Sequence, residues 1–120
     1  MLTLSLIVTA GKKAFMSTAK PLSGIRVVEL GQLLAGPFTG AILGYFGAEV
    51  IKIEPPGGDP LRQWREVHNG TSFWYRSLGR NKKSVVLDLK TEGGRHVTRR
   101  LLKTADVVIE NFRPGTMEKW

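Results

Sequence analysis

Residues 25–47 read IRVVELGQLLAGPFTGAILGYFG, and the fold turns on them. Ile25, Val27, Val28 and Leu30 form a short, largely β-branched apolar run, the pattern of a buried strand. Gly31 ends it. Pro37 suits the first residue of a helix, where a missing N–H costs nothing. Gly47 suits the helix C-terminal cap. The stretch therefore predicts a strand, a tight turn and a helix. Gly40 and Gly44 lie four apart on one helical face, and without side chains that face admits a neighbouring backbone or ligand closely. A helix N-terminus just beyond a strand's C-terminal end directs free N–H groups outward, which suits an anion. This turn is expected to line a site for a phosphorylated cofactor.

Working outward, Glu49–Glu54 (EVIKIE) follows at once, with Val50, Ile51 and Ile53 making a second strand. Strand, helix and strand within about thirty residues form a βαβ unit with parallel strands. Residues 55–60, PPGGDP, must be a loop. It leaves the same edge of the sheet as the turn at Gly31, the edge along which open α/β sheets bind ligands. Residues 61–80 carry Trp64, Phe73, Trp74 and Tyr75, which are expected to pack against the sheet. A stacking platform for an adenine or for nucleic-acid bases is the minority reading. Asn69-Gly70 marks a turn, and Thr71–Leu78 suits a short helix capped by Thr71. Ser84–Leu89 (SVVLDL) reads as a third strand and Ala105–Ile109 as a fourth. Between them lies a helix with Thr91 as N-cap and Glu92 in its first turn. Val97 and Leu101 are expected to face the core, with Arg95, Arg99 and Lys103 on the solvated side. ENFRPG (residues 110–115) is a turn at the end of the fourth strand, and Met117–Trp120 looks like the start of another helix. The pattern is an α/β fold, a Rossmann-like parallel sheet with flanking helices.

A chain of 120 residues is one domain or part of one. It has no cysteine, which removes disulfides, thiolate chemistry and cysteine-based zinc sites. Its only histidines, His68 and His96, sit in no HExxH motif or carboxylate cluster, so no metal site is expected. The net charge of +8 suits nucleic acid, anionic lipid or a polyphosphate ligand, and equally a piece of a longer protein whose acidic part lies elsewhere. The piece is the favoured reading. The apolar run Leu2–Ala10 is too short to span a bilayer. Lys12 and Lys13 follow it instead of preceding it, so it makes a poor signal peptide. Residues 1–20 are read as an N-terminal extension with Met16 the expected true start, residues 21–120 as an incomplete domain, and the protein as cytoplasmic and not membrane-bound.

The first turn is G-Q-L-L-A-G-P and not G-x-G-x-x-G, so the dinucleotide fingerprint fails. There is no P-loop and no G-x-S-x-G elbow. Glu54, Asp59, Asp88 and Glu110 fall near strand ends, but their spacing specifies no acid–base pair; such carboxylates are mostly caps or ion-pair partners.

Five motifs in order, PLSGIRVVEL, LAGPFTG, LGYFGAEVIKIEPPGGD, RNKKSVVLDLKTEGG and ADVVIENFRPG, give residues 21–120 a specific resemblance. The chain resembles the N-terminal part of the family III CoA-transferases, which include formyl-CoA transferase, carnitine CoA-transferase and alpha-methylacyl-CoA racemase. The resemblance implies coenzyme A as ligand, carried as an acyl-CoA substrate, with a carboxylic acid as acceptor. It places CoA contacts on Leu34 and Ala35, on Leu87, Asp88, Leu89 and Lys90, on Asn111, Phe112 and Arg113, and on Lys119. Arg113, Lys90 and Lys119 would be charge-assisted partners of the CoA phosphates. Two positions depart from the family. Pro55 stands where relatives often carry a nucleotide-contacting arginine. Leu34 stands where formyl-CoA transferase has a glutamine, which argues against the formyl–oxalate reaction. The family's transferases use an aspartate that attacks the thioester, and it falls beyond Trp120, so no catalytic residue is assigned here. An interlocked homodimer is implied for the full-length protein. The alternatives are a racemase-like isomerase and, remotely, a basic nucleic-acid-binding module built on residues 80–83 and the aromatics.

Overall fold

The computed structural model describes residues 19–120. The reading of residues 1–20 as an extension, with Met16 as the protein's true start, lies almost wholly outside the described residues. Four strands form one parallel sheet: β1 (Arg26–Glu29), β2 (Glu49–Glu54), β5 (Lys82–Val86) and β6 (Val107–Ile109). Their order is β5-β2-β1-β6. The chain starts in the middle, steps outward one way through β2 to β5, then crosses back to place β6 on the other side of β1. The strand order reverses between β1 and β6, and it is there that open parallel sheets form a crevice.

α1 (Ala35–Tyr45) joins β1 to β2, and α3 (Glu92–Leu102) joins β5 to β6. Leu43 of α1 packs on Val27, Val50 and Ile109, whereas Leu101 and Leu102 of α3 pack on Val28, Leu30 and Ile53. The helices thus cover opposite faces. The period-2 alternation of the strands sorts the side chains between them. The α3 face is apolar. On the α1 face, Val27 and Val50 give way toward the C-terminal edge to Glu29, Lys52 and Glu54, all buried.

α1 begins at Ala35, so Pro37 is its third residue and not its first. Gly47 follows the helix with φ +104, the left-handed geometry of a C-terminal glycine. The glycine face of α1 meets protein and not a ligand. Gly40 lies over the Glu29 carboxylate and the Lys82 ammonium, and Gly44 over Asn81 and Val50.

Residues 55–81 depart most from expectation. Val67–His68 (β3) and Thr71–Ser72 (β4) form an antiparallel hairpin around Asn69-Gly70, both with positive φ. α2 (Phe73–Leu78) is capped by Ser72 and not by Thr71, because pairing with β3 draws Thr71 into a strand. Phe73 and Trp74 are 49% and 46% exposed, so they do not pack against the sheet. Trp74 sits instead beside Trp64, ring centres 5.7 Å apart. The third strand of the sheet ends at Val86, leaving Leu87–Leu89 as a bend, and the fourth begins at Val107. In α3, Thr91 is the N-cap as expected, its hydroxyl accepting from Gly94 N–H. Leu101 meets the core, but Val97 is 40% exposed and Gly94 and Thr98 are the buried positions. The 3-10 turn Met117–Lys119 stands where the sequence suggests the start of a helix.

Candidate functional site: the C-terminal edge of the sheet

Under α1 the charged side chains form one network. Lys52 Nζ donates to Glu29 Oε1 (2.9 Å) and to the Gly31 carbonyl (2.8 Å). It also lies 2.7 Å from Asp59 Oδ2, an ion pair off the hydrogen-bond axis. Lys82 Nζ donates to Glu29 Oε2 (2.6 Å) and to the Pro37 carbonyl (2.7 Å). Burial pulls Lys82 below the ordinary lysine range, and the Glu29 carboxylate opposes it. Two lysines and two carboxylates balance in charge, which is how a protein interior tolerates them. Lys82 is therefore withdrawn from the basic run 80–83, and Lys83 pairs with Glu49. That leaves Arg80 and Lys83 as the solvent-facing cations of the run.

Glu54 anchors the neighbouring loop. It accepts from Arg62 at 2.7 and 2.8 Å, from Ser84 (2.6 Å), from Tyr75 (3.0 Å) and from Asp59 N–H (2.8 Å). Burial alone raises its pKa. The Arg62 guanidinium, then Ser84, the Asp59 amide and Tyr75, outweigh burial and bring it down to about 2. Burial, and then the hydrogen bond to this carboxylate, push Tyr75 up to about 12. A carboxyl group depressed in the folded state contributes stability above its unfolded pKa, near 4.5. That stability is lost as the pH falls toward the folded value. The chain should lose on the order of 2–3 kcal/mol to this group alone between about pH 5 and pH 2. Urea denaturation at stepped pH should show that loss, and Glu54→Gln should flatten the dependence in that window; an unchanged acid slope in the variant would discount Glu54.

The same elements set the edge above. Gly31 and Gly36 cross so closely that a Cβ on either would approach the other's Cα at 2.6 Å. Asn111, in the turn after β6, closes over them: its Oδ1 accepts from Gln32 N–H (2.8 Å) and its Nδ2 donates to the Gln32 carbonyl (3.0 Å). Beside this turn lies a cleft of about 120 Å³. Its floor is Leu30 and Ile53; Leu87, Asp88, Leu89 and Lys90 form one wall, Gln32 and Pro55 another, and Phe112 and Trp120 cover the end. The Leu87–Lys90 bend is braced from behind by Arg95, which donates to the carbonyls of Leu89 (3.2 Å) and Lys90 (2.9 Å). Arg95 is thus half-buried and structural, not part of a solvated row. Asp88 Oδ1 accepts from Lys90 N–H (3.0 Å) and Glu110 Oε2 from Phe112 N–H (2.8 Å), so both carboxylates are local caps.

Five of the ten residues singled out from sequence, Leu87, Asp88, Leu89, Lys90 and Phe112, thus line one cleft. Leu34 and Ala35 sit exposed at the start of α1, on the same edge but outside the cleft. The Asn111 side chain serves the turn. Arg113 and Lys119 are exposed beyond the cleft. The Lys90, Arg113 and Lys119 side chains make no hydrogen bond or ion pair among the described residues, leaving three cations along the edge. Sequence reasoning missed Leu30, Gln32, Ile53 and Trp120 as lining residues. The alternation in EVIKIE, with Lys52 and Glu54 in phase with buried Val50, is a signal for the buried charges.

A parallel sheet with helices on both faces and a cleft at its C-terminal edge defines the class: an α/β fold of the Rossmann-like kind without the dinucleotide fingerprint. The chain belongs to CoA-transferase family III, whose family model matches residues 22–120. It is 54% identical over 103 residues to succinyl-CoA–D-citramalate CoA-transferase of Chloroflexus aurantiacus, covering 84% of this chain and 26% of that protein. It is 47% identical over 108 residues to succinate–glutarate CoA-transferase of Agrobacterium fabrum, covering 83% of this chain and 27% of that protein. Among solved structures, a CaiB/BaiF family protein from Brucella suis superposes with a TM-score of 0.78 at 43% identity, over 84% of this chain and 28% of that one. The chain spans about a quarter of the length of the curated relatives it matches.

Proposed function

We propose that this chain supplies the CoA-binding edge of a CoA-transferase that moves CoA from an acyl-CoA donor to a carboxylic acid. The observation that carries the reading is the cleft between Leu87–Lys90 and Phe112, with the unpaired cations Lys90, Arg113 and Lys119 along the same edge. CoA offers a flat base for the apolar cleft and a diphosphate and 3′-phosphate for the cations. In this reading Leu34, Ala35 and the backbone of Asn111 flank the ligand's course toward the crevice. The thioester is attacked by an aspartate outside residues 1–120. A mixed anhydride forms as the CoA thiolate leaves; the thiolate then attacks the aspartyl carbonyl, releasing the donor acid and leaving an aspartyl-CoA thioester. The acceptor carboxylate attacks that thioester to form a second mixed anhydride, and the freed thiolate takes the acceptor's acyl group from it and restores the aspartate. The relatives' names favour succinyl-CoA as donor and a dicarboxylic acid as acceptor, and they favour transfer over racemisation. The same reading carries an interlocked homodimer in the cytoplasm.

The test is calorimetric titration of CoA into the chain. Weak saturable binding is expected, reduced about tenfold by Lys90→Ala or Arg113→Ala, the worth of one exposed charge-assisted contact. Transfer from succinyl-CoA to dicarboxylic acids is expected only from a longer polypeptide carrying this segment. Absence of CoA binding at millimolar concentration, or binding indifferent to both substitutions, would overturn the assignment of this edge.

A further inference from the structure

Every polar backbone group of the turn from Gly31 to Leu33 that bonds to protein is gripped by a side chain from another segment. Lys52 of β2 holds the Gly31 carbonyl (2.8 Å). Asn111 holds both the N–H and the carbonyl of Gln32. Asp59 Oδ1 accepts from Leu33 N–H (3.1 Å) while also capping the turn at Leu61 N–H (2.8 Å). Leu33 has φ +61, a left-handed conformation that non-glycine residues rarely adopt. Both Leu33 and its neighbour Leu34 are exposed, so neither is held there by burial of its side chain. A strained, outward-facing turn persists only when its surroundings over-determine it, and such strain gathers where a ligand is received. The two groups doing so from below, Lys52 and Asp59, are each about 1% exposed and paired with one another.

We propose that Lys52 and Asp59 are positioning residues for the CoA ligand: they touch no ligand themselves, and they lock the Gly31–Leu33 turn into the strained form that presents the edge beside the cleft. The inference rests on the functional reading above. A surface loop would tolerate several conformations; this one is tied to a charge-balanced layer in the protein interior, so its shape is set before ligand arrives.

The test is the double substitution Lys52→Met/Asp59→Asn. It removes one positive and one negative charge together, leaving Glu29 paired with Lys82, and it keeps an oxygen for Leu33 N–H. Two readouts are needed. In amide hydrogen exchange, Gln32 and Leu33 should exchange at least tenfold faster than in the parent, with Val28 and Ile51 in the central strands still protected. In calorimetric titration with coenzyme A, affinity should fall by about tenfold or more. Turn amides exchanging at the parent rate would overturn the proposal, and so would central-strand amides losing protection by the same factor, which marks the pair as general scaffolding. Faster turn exchange with unchanged CoA affinity would also overturn it. If the parent itself binds no CoA, the functional reading fails and the positioning of ligand with it, whereas the exchange result still decides whether the pair sets the turn. Should the double variant not fold, Asp59→Ala alone, which takes away the acceptor of Leu33 N–H, is carried through both measurements, and each outcome supports or overturns the proposal in the same way.

Discussion

Gly40→Ala should be among the most damaging single-methyl changes this chain can receive. A Cβ at Gly40 would fall on the buried Glu29 carboxylate and 3.2 Å from Lys82 Nζ. Neither group can yield cheaply. Glu29 holds both Lys52 and Lys82, and Lys82 also holds the Pro37 carbonyl of the same helix. Moving the helix away opens the layer to water and leaves buried charges imperfectly paired. The expected cost is about 3 kcal/mol or more, combining overpacking with disruption of the ion pairs. In a domain of this size that lowers the melting temperature by more than about 10 °C. Gly44→Ala is the control from the same helical face. Its Cβ would meet Asn81 and Val50 at 3.5 Å, ordinary contact. There the better helix propensity of alanine should leave stability unchanged or raise it by up to about 1 kcal/mol. Thermal melts should place the first variant well below the parent and the second at or above it; similar melts would show that the Glu29 layer adapts and that its tight packing is not a constraint.

Lys52→Met should be equally severe for a different reason. The side chain has nearly the right length to fill the space, so the loss is electrostatic. Asp59 loses the ammonium 2.7 Å from its Oδ2, the Gly31 carbonyl loses its donor, and Glu29 is left with Lys82 alone. A buried carboxylate without its counter-ion costs about 3–5 kcal/mol, a large part of the stability of any single domain. Lys83→Met supplies the contrast. Lys83 is 73% exposed at its side chain and pairs with a partly exposed Glu49. Exposed pairs of this kind contribute about 0–1 kcal/mol. Urea midpoints should separate the two lysine variants clearly, and a Lys52→Met protein as stable as the parent would refute the account of the buried layer.

These two pairs show where the sequence is legible. The βαβ unit, the loop at PPGGDP, the turn at Asn69-Gly70 and the Thr91 cap are readable because each rests on interactions within a few residues: apolar alternation, missing amides, positive φ, a hydroxyl within reach of a backbone N–H. The errors fall where distant partners decide. Thr71 reads as a cap, but pairing with Val67–His68 makes it a strand residue and passes the cap to Ser72. Arg95 reads as solvated because its own helix is amphipathic, yet it turns back to hold the carbonyls of Leu89 and Lys90. Of the candidate site, the bend at Leu87–Lys90 and Phe112 stand out as motifs, while Gln32 and Ile53 join the cleft only through strand order and Trp120 only through its contacts with Phe112 and Arg99.

By itself the sequence determined the class of fold, the order of its elements and the family, since short-range patterning and five consecutive motifs need no partner to be read. Only the tertiary structure decided which of two adjacent lysines is buried, which of two glycines cannot bear a methyl group, and which residues surround the cleft. Those depend on what lies opposite in space. A lysine is costly or harmless according to how much water reaches it and what faces it. Lys82 and Lys83, one residue apart, point to opposite sides of the strand; the first is sealed against the Glu29 carboxylate, and the second stands mostly in water.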